Sequence, residues 1–232
     1  MNRLKNIGFF IVIFILYLVI NVYSGVFFIK DINSNNLVLI NLALITSNLI
    51  TVVIFAFIFH KTLVKDFYKF NKDDFKTGLH YWIIGVVLMI ILNMIISLLG
   101  GTIVDNESSN RELIKNYLPY AIFGMCIYAP IVEELVFRRS LRNIFKYKYT
   151  YAFFSGFIFA SIHLLDEITM FISTGTYTIS LLYILPYMAL GACFALSYYK
   201  TNNIYSTITF HAMHNFIAIL INIILLGVLW KE

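Results

Sequence analysis

Residues 120–138 read Tyr-Ala-Ile-Phe-Gly-Met-Cys-Ile-Tyr-Ala-Pro-Ile-Val-Glu-Glu-Leu-Val-Phe-Arg. An uncharged, mostly apolar run leads into two adjacent carboxylates and ends on an arginine. About 20 such residues cross a bilayer. An ionisable group at mid-membrane costs about 2.5–3.5 kcal/mol on insertion scales, so carboxylates in a span point to function. Glu133 and Glu134 are neighbours and project about 100° apart on an α-helix. Glu134 and Arg138 stand four residues apart and face each other, which pairs their charges. Glu133 is left without a local partner, as suits a proton-transfer base. Pro130, one turn earlier, cannot donate a backbone hydrogen bond and predicts a kink.

The whole chain supports reading that stretch as a span. Of its 232 residues, 60% are apolar and 12% charged, whereas soluble domains carry roughly 25% charged residues. Mean hydropathy is +0.83. So few charges cannot cover a soluble surface, which excludes a cytosolic enzyme, a nucleic-acid module and a disordered chain. The fold class is all-α, a polytopic transmembrane bundle. Apolar runs at 8–29, 37–59, 81–99, 120–137, 149–165, 179–199 and 204–230 predict seven spans. The first run is too long for a signal-peptide core, and the weak cleavage signal Val22-Tyr23-Ser24 is discounted, so it reads as an anchor.

Net charge is +5, and the charges sit between the apolar runs, where they report topology and anionic lipid rather than nucleic acid. With the N-terminus inside, thirteen Lys and Arg fall on inside segments and four on outside ones. That bias predicts an N-in, C-out topology. The inside segment Lys61–His80 alternates aromatic residues with lysines and reads equally as an amphipathic interfacial helix or a solvated basic loop. The outside segment Thr102–Pro119 is polar and uninformative. Cys126 and Cys193 lie inside apolar runs and read as core residues.

Two more spans carry ionisable groups. The fifth contains Phe159 and His163 at i, i+4, and the seventh contains His211, His214 and Asn215. His211 and Asn215 share a face, whereas His214 is rotated away and reads equally as a structural partner. Depth constrains how these residues can meet. A fourth helix ending at Arg138 would leave Glu133 only about 7 Å from the inner edge. Extending it to about Phe145 would put Glu133 roughly 18 Å deep, level with the histidines. That extension is expected, with Arg138, Arg139 and Arg142 facing a wet cavity or acidic partners.

Glu-Glu-x-x-x-Arg, Phe-x-x-x-His and His-x-x-x-Asn therefore stand in order on three spans. Over about residues 118–220 this resembles the CPBP (CAAX-processing and bacteriocin-processing, Abi) family of intramembrane proteases. The resemblance implies a catalytic core over 118–220 within one membrane domain, 1–232. It makes Glu133 the base that activates water and His163 a partner that positions that water or a metal. It makes His211 and Asn215 stabilisers of the oxyanion, with Glu134 and Arg138 a supporting pair. It leaves the cofactor open: Glu133, His163 and His211 could hold a divalent metal such as Zn2+, or the glutamate and histidines could activate water alone, since no His-Glu-x-x-His motif is present.

The implied function is an intramembrane endopeptidase. Its substrate would be a membrane-associated peptide or lipidated protein, such as a bacteriocin leader, a signalling-peptide precursor or a CaaX-type tail. Abundant Ile, Asn, Lys and Phe suggest an AT-rich genome and a bacterial plasma membrane. Two other classes compete. A non-catalytic scaffold or immunity protein would have lost motif residues, and none is lost. An ion-coupled transporter would show paired broken helices and an internal repeat, and neither is evident.

Overall fold

In the computed structural model, residues 3–29 and 37–227 are described, and all regular structure among them is helical. The long helices are α1 (Arg3–Ile29), α2 (Leu37–Ile58), α4 (Lys72–Leu98), α10 (Ile184–Thr201) and α11 (Tyr205–Leu226). Between them lie α3 (His60–Lys69), α5 (Asp105–Asn116), α6 (Leu118–Phe123), α7 (Ala129–Glu133), α8 (Lys148–His163) and α9 (Leu165–Thr174). Six helical segments are long and apolar enough to cross a bilayer. A seventh crossing exists if α8 and α9 count together. The expected fifth span, 149–165, is thus no single straight helix, because the chain bends by 76° between His163 and Leu165. The third span starts at Lys72 instead of Tyr81. Trp230, the expected end of the last span, lies outside the described residues, as does the C-terminus.

Large apolar side chains line the outside of α2 and α4, among them Val53, Phe57, Leu88, Met94 and Leu98. In water this would be an aggregation surface; in a bilayer it is the lipid face. The polar and charged groups that matter turn inward.

The segment after α2 resolves one open reading. Residues 60–69 form the amphipathic helix α3, not a loop. It stops because Phe70 is extended, and Asn71 then starts α4 with a capping box: its side chain accepts from the Asp73 and Asp74 N–H groups while Asp74 accepts from the Asn71 N–H. The polar stretch 102–119 is no plain loop either. It contains α5, whose first N–H (Asp105) donates to Glu167 of α9.

Helices α8 and α10 pack most closely. A Cβ at Gly156 would lie 2.6 Å from the Met188 carbonyl oxygen, and Gly191 faces both Gly156 and the Phe159 ring. Only small residues allow this backbone approach. It sets Phe159 of α8 and Phe194 of α10 side by side under the site.

Candidate active site

The segment that opened the sequence reading is a distorted helix. Gly124–Tyr128 has π winding, Ala129–Glu133 is α, and Glu134–Arg139 is π again. Pro130 is one cause. It has no N–H, and its ring would strike the carbonyl four residues back. The chain avoids this by a wide turn in which the Ala129 N–H reaches Gly124 O, five residues back. The expected kink is therefore a π turn. One carbonyl is left over: Met125 O, whose acceptor register now falls on Pro130. Asn215 of α11 supplies the missing donor, its Nδ2 lying 2.7 Å from Met125 O.

The expected extension of this helix to Phe145 does not occur. Regular winding ends at Arg139, and residues 140–144 continue as turns. Glu133 is buried nonetheless. The depth estimate erred by equating the helix end with the membrane edge. Ser140 and Leu141 stay buried, and α3 packs alongside, with Arg139 Nε donating to Thr62 Oγ1 (3.0 Å). Arg142 has its guanidinium 3.9 Å from the centroid of the Tyr199 ring. Arg139 and Arg142 thus meet a hydroxyl and an aromatic face, not acids or an open cavity.

The two carboxylates flank one imidazole. His211 Nδ1 lies 2.8 Å from Glu134 Oε1, and His211 Nε2 lies 3.8 Å from Glu133 Oε2. Arg138 Nε lies 3.2 Å from Glu134 Oε2, with both side chains fully buried. The positive charge beside the acid pair is thus committed to Glu134. With Glu134 ionised, His211 Nδ1 is its donor and Nε2 faces Glu133. The Arg138 guanidinium stacks over Phe159 at 4.7 Å and over Phe194 at 5.8 Å. These cation–π contacts replace part of its lost hydration. Glu133 Oε2 has no hydrogen-bond partner among the described residues, and the arginine pairs with the other carboxylate.

His163 sits beside this group, not inside it. Its Nδ1 is 2.9 Å from Phe159 O. A carbonyl only accepts, so Nδ1 carries the proton and Nε2 keeps its lone pair. The ring packs on Phe159 (4.3 Å between centroids) and Tyr187 (5.0 Å), and Phe159 also touches His211.

Glu133, His163 and His211, the set that the resemblance left open for a metal, can be compared with this geometry. Among the described residues no three His, Cys, Asp or Glu side chains converge on a point that could hold a metal ion. His163 and His211 each engage Nδ1, with the Phe159 carbonyl and with Glu134, and leave Nε2 open. Glu133, His163 and His211 as placed do not fit a three-ligand zinc site.

Several site-forming residues carried no sequence signal. Tyr17 of α1 is buried and interacts electrostatically with Glu133 and Tyr128, and the Tyr128 hydroxyl donates to Asn21 (2.8 Å). Phe194 and Tyr151 belong to the same wall, the Tyr151 hydroxyl donating to Arg138 O (3.0 Å). Each looks like ordinary span filling in the sequence; only the long-range packing gives it a role.

Residues 115–217 match the family described as type II CAAX prenyl endopeptidase, Rce1-like. The match holds all three motifs and agrees with the CAAX-protease resemblance drawn from them. The apolar helices mark an integral membrane protein, and its residues 115–217 are similar to that family. No curated protein and no solved structure matches the chain significantly.

Proposed function

We propose that this chain is an intramembrane endopeptidase that hydrolyses a peptide bond in a membrane-associated polypeptide by water activated on Glu133. The observation that carries the reading is the pair of buried carboxylates on the two nitrogens of His211, inside the segment that matches the CAAX endopeptidases. Arg138 holds Glu134 as a permanent anion, and Glu134 fixes the orientation of His211. Glu133 then accepts a proton from water as the oxygen attacks the scissile carbonyl. His163 Nε2, with its free lone pair, accepts the other water hydrogen and fixes the angle of attack. Glu133 passes that proton on to His211 Nε2, which with the second amide hydrogen of Asn215 faces the oxyanion. Glu133 takes the proton back and delivers it to the leaving nitrogen as the C–N bond breaks, and the carboxylic acid formed loses its remaining proton to water, giving a free amine and a carboxylate. No step is routed through a metal.

Sidedness follows the lysines. The Asn6 side chain donates to Asn143 O (3.0 Å), so the start of α1 lies at the same end of the bundle as the Arg-rich turns 139–147 and α3. We assign that basic end to the inside face.

The test uses the full chain in lipid nanodiscs with a farnesylated CaaX-type peptide, followed by mass spectrometry. Glu133→Gln keeps the shape but removes the base, and the cleavage rate is expected to fall about 10²–10⁴-fold. Equal rates for the two proteins would sink the proposal.

A further inference from the structure

A second polar feature lies next to the acid pair. An open cavity of about 260 Å³ lies between α1, α2, α5 and the helix that carries Glu133. Its polar lining is Asn21, Ser47, Asn48, Asn110, Tyr120 and Tyr128. Among the described residues no charged one lines it. Ser47 and Asn48 are buried in the middle of an apolar spanning helix, where uncharged polar groups are usually held for packing or binding. Asn48 also hydrogen-bonds Tyr120.

The cavity faces the base. Met125 and Ala129 line it, and Glu133 is the next residue at the same four-residue spacing, so all three share one helix side. Tyr128 lines the cavity and interacts with Glu133 electrostatically. The wall therefore leads one turn along the helix to the proposed point of attack.

The lining defines its ligand. Alternating amide donors and acceptors without charge do not suit a carboxylate, a phosphate or a cation. They also do not suit an alkyl or prenyl chain, which would leave the Asn110 amide unpaired at a cost of about 1–3 kcal/mol. They do suit main-chain N–H and C=O groups, which must be satisfied inside a membrane. The volume falls just below the roughly 300 Å³ where pockets for whole small molecules begin, which fits a short stretch of extended chain.

We propose that this cavity is the substrate-backbone subsite: it takes an uncharged, extended peptide segment next to the scissile bond and hydrogen-bonds its main chain through Asn48 and Asn110. The inference rests on the peptidase reading for the word substrate, but its test does not depend on cleavage.

Gly124 gives a direct probe. It lines the cavity, its backbone is in the right-handed helical region, and a Cβ there would meet Asn48 Nδ2 at 3.4 Å. Gly124→Leu therefore fills the cavity without touching Glu133, His163 or His211. The experiment measures equilibrium binding of a fluorescent farnesylated CaaX-type peptide to full-length Glu133→Gln in nanodiscs. Binding is compared without a second change, with Gly124→Leu, with Asn48→Leu and with Asn110→Leu. Each added change is expected to raise Kd at least about tenfold. In the background that keeps Glu133, each is expected to raise KM similarly while kcat moves less than about threefold. Elution profile and melting temperature check folding; if Gly124→Leu fails them, the two asparagine variants decide, since they sit on different helices. Unchanged Kd in the folded variants overturns the inference, including when kcat falls, because the space then serves water. Absence of any peptide binding overturns it as well. Tight, cavity-dependent binding without cleavage by the parent protein would uphold the subsite and sink the peptidase reading.

Discussion

The hydrogen bond from Asn215 to Met125 gives Asn215 a structural task separate from any role at an oxyanion, and a double-mutant cycle can isolate it. The π turn sends the Ala129 N–H to Gly124 O and leaves Met125 O facing Pro130, which has no N–H. Asn215 Nδ2 fills that gap at 2.7 Å. Asn215→Leu removes the donor. An unsatisfied buried carbonyl costs about 1–3 kcal/mol, but hydrogen bonds between membrane helices average about 0.6 and reach about 1.7 kcal/mol. The site is only part-buried, so a loss of about 1 kcal/mol is expected. Pro130→Ala supplies a backbone N–H in the register that Met125 O needs. In that background, Asn215→Leu should cost close to nothing, a coupling of about 0.5–1 kcal/mol. Reversible unfolding by SDS in mixed micelles measures all four proteins. The reasoning is refuted if Asn215→Leu costs the same with and without Pro130. Peptide cleavage, read in parallel, separates the roles: Pro130→Ala should restore stability to the Asn215 variant but not its rate.

Three further outcomes are expected. Arg138→Met strands the fully buried Glu134 carboxylate and should cost about 3–5 kcal/mol, whereas Glu134→Gln with Arg138→Met should cost less than the single change; the same SDS titration ranks them, and the opposite order contradicts the pairing. Asp66 is buried on α3, its Oδ2 accepting from the Ile204 N–H (3.0 Å) at the start of α11. Asp66→Ala should cost about 1–2 kcal/mol and speed amide exchange over 204–208 ahead of α2, as followed by mass spectrometry. Gly156→Leu drives a side chain onto the α10 backbone and should yield no monodisperse protein in size-exclusion chromatography, while Gly8→Leu, with nothing within 4 Å of its Cβ, should elute as the parent does.

Hydropathy carried the helical class, and residue spacing carried the Glu134–Arg138 contact, because both depend on short-range geometry. Four-residue spacing also put Phe159 and His163 on one face, where the ring and the imidazole do touch. What spacing could not carry was winding. The two π turns change which residues face which, and their cause at Pro130 is visible in sequence only as a generic helix breaker. The break after His163 was hidden for a related reason: Leu164-Leu165 continues the apolar run, and no Gly or Pro marks the bend. Tyr17, Phe194 and Asp66 were out of reach because their roles come from partners more than 70 residues away in the chain for Asp66 and from other spans for the two aromatics.

The winding explains how two adjacent carboxylates can serve one site. On a uniform α-helix, Glu133 and Glu134 would point about 100° apart and address different neighbours. Here the helix changes from α to π between them, and α11 presents an imidazole edge-on, so that each acid meets a different ring nitrogen. The two negative charges then stand in unlike settings. Glu134 has Arg138, and Arg138 has the faces of Phe159 and Phe194. Glu133 faces the far nitrogen of a histidine already held by Glu134, with no cation paired to it among the described residues. In the proposed reaction the proton taken from water therefore goes to Glu133 and not to Glu134. That asymmetry depends on the close α8–α10 contact that supplies the two phenyl faces. A residue as remote as Gly156 therefore bears on the site, through the aromatic wall behind the cation that pairs with Glu134.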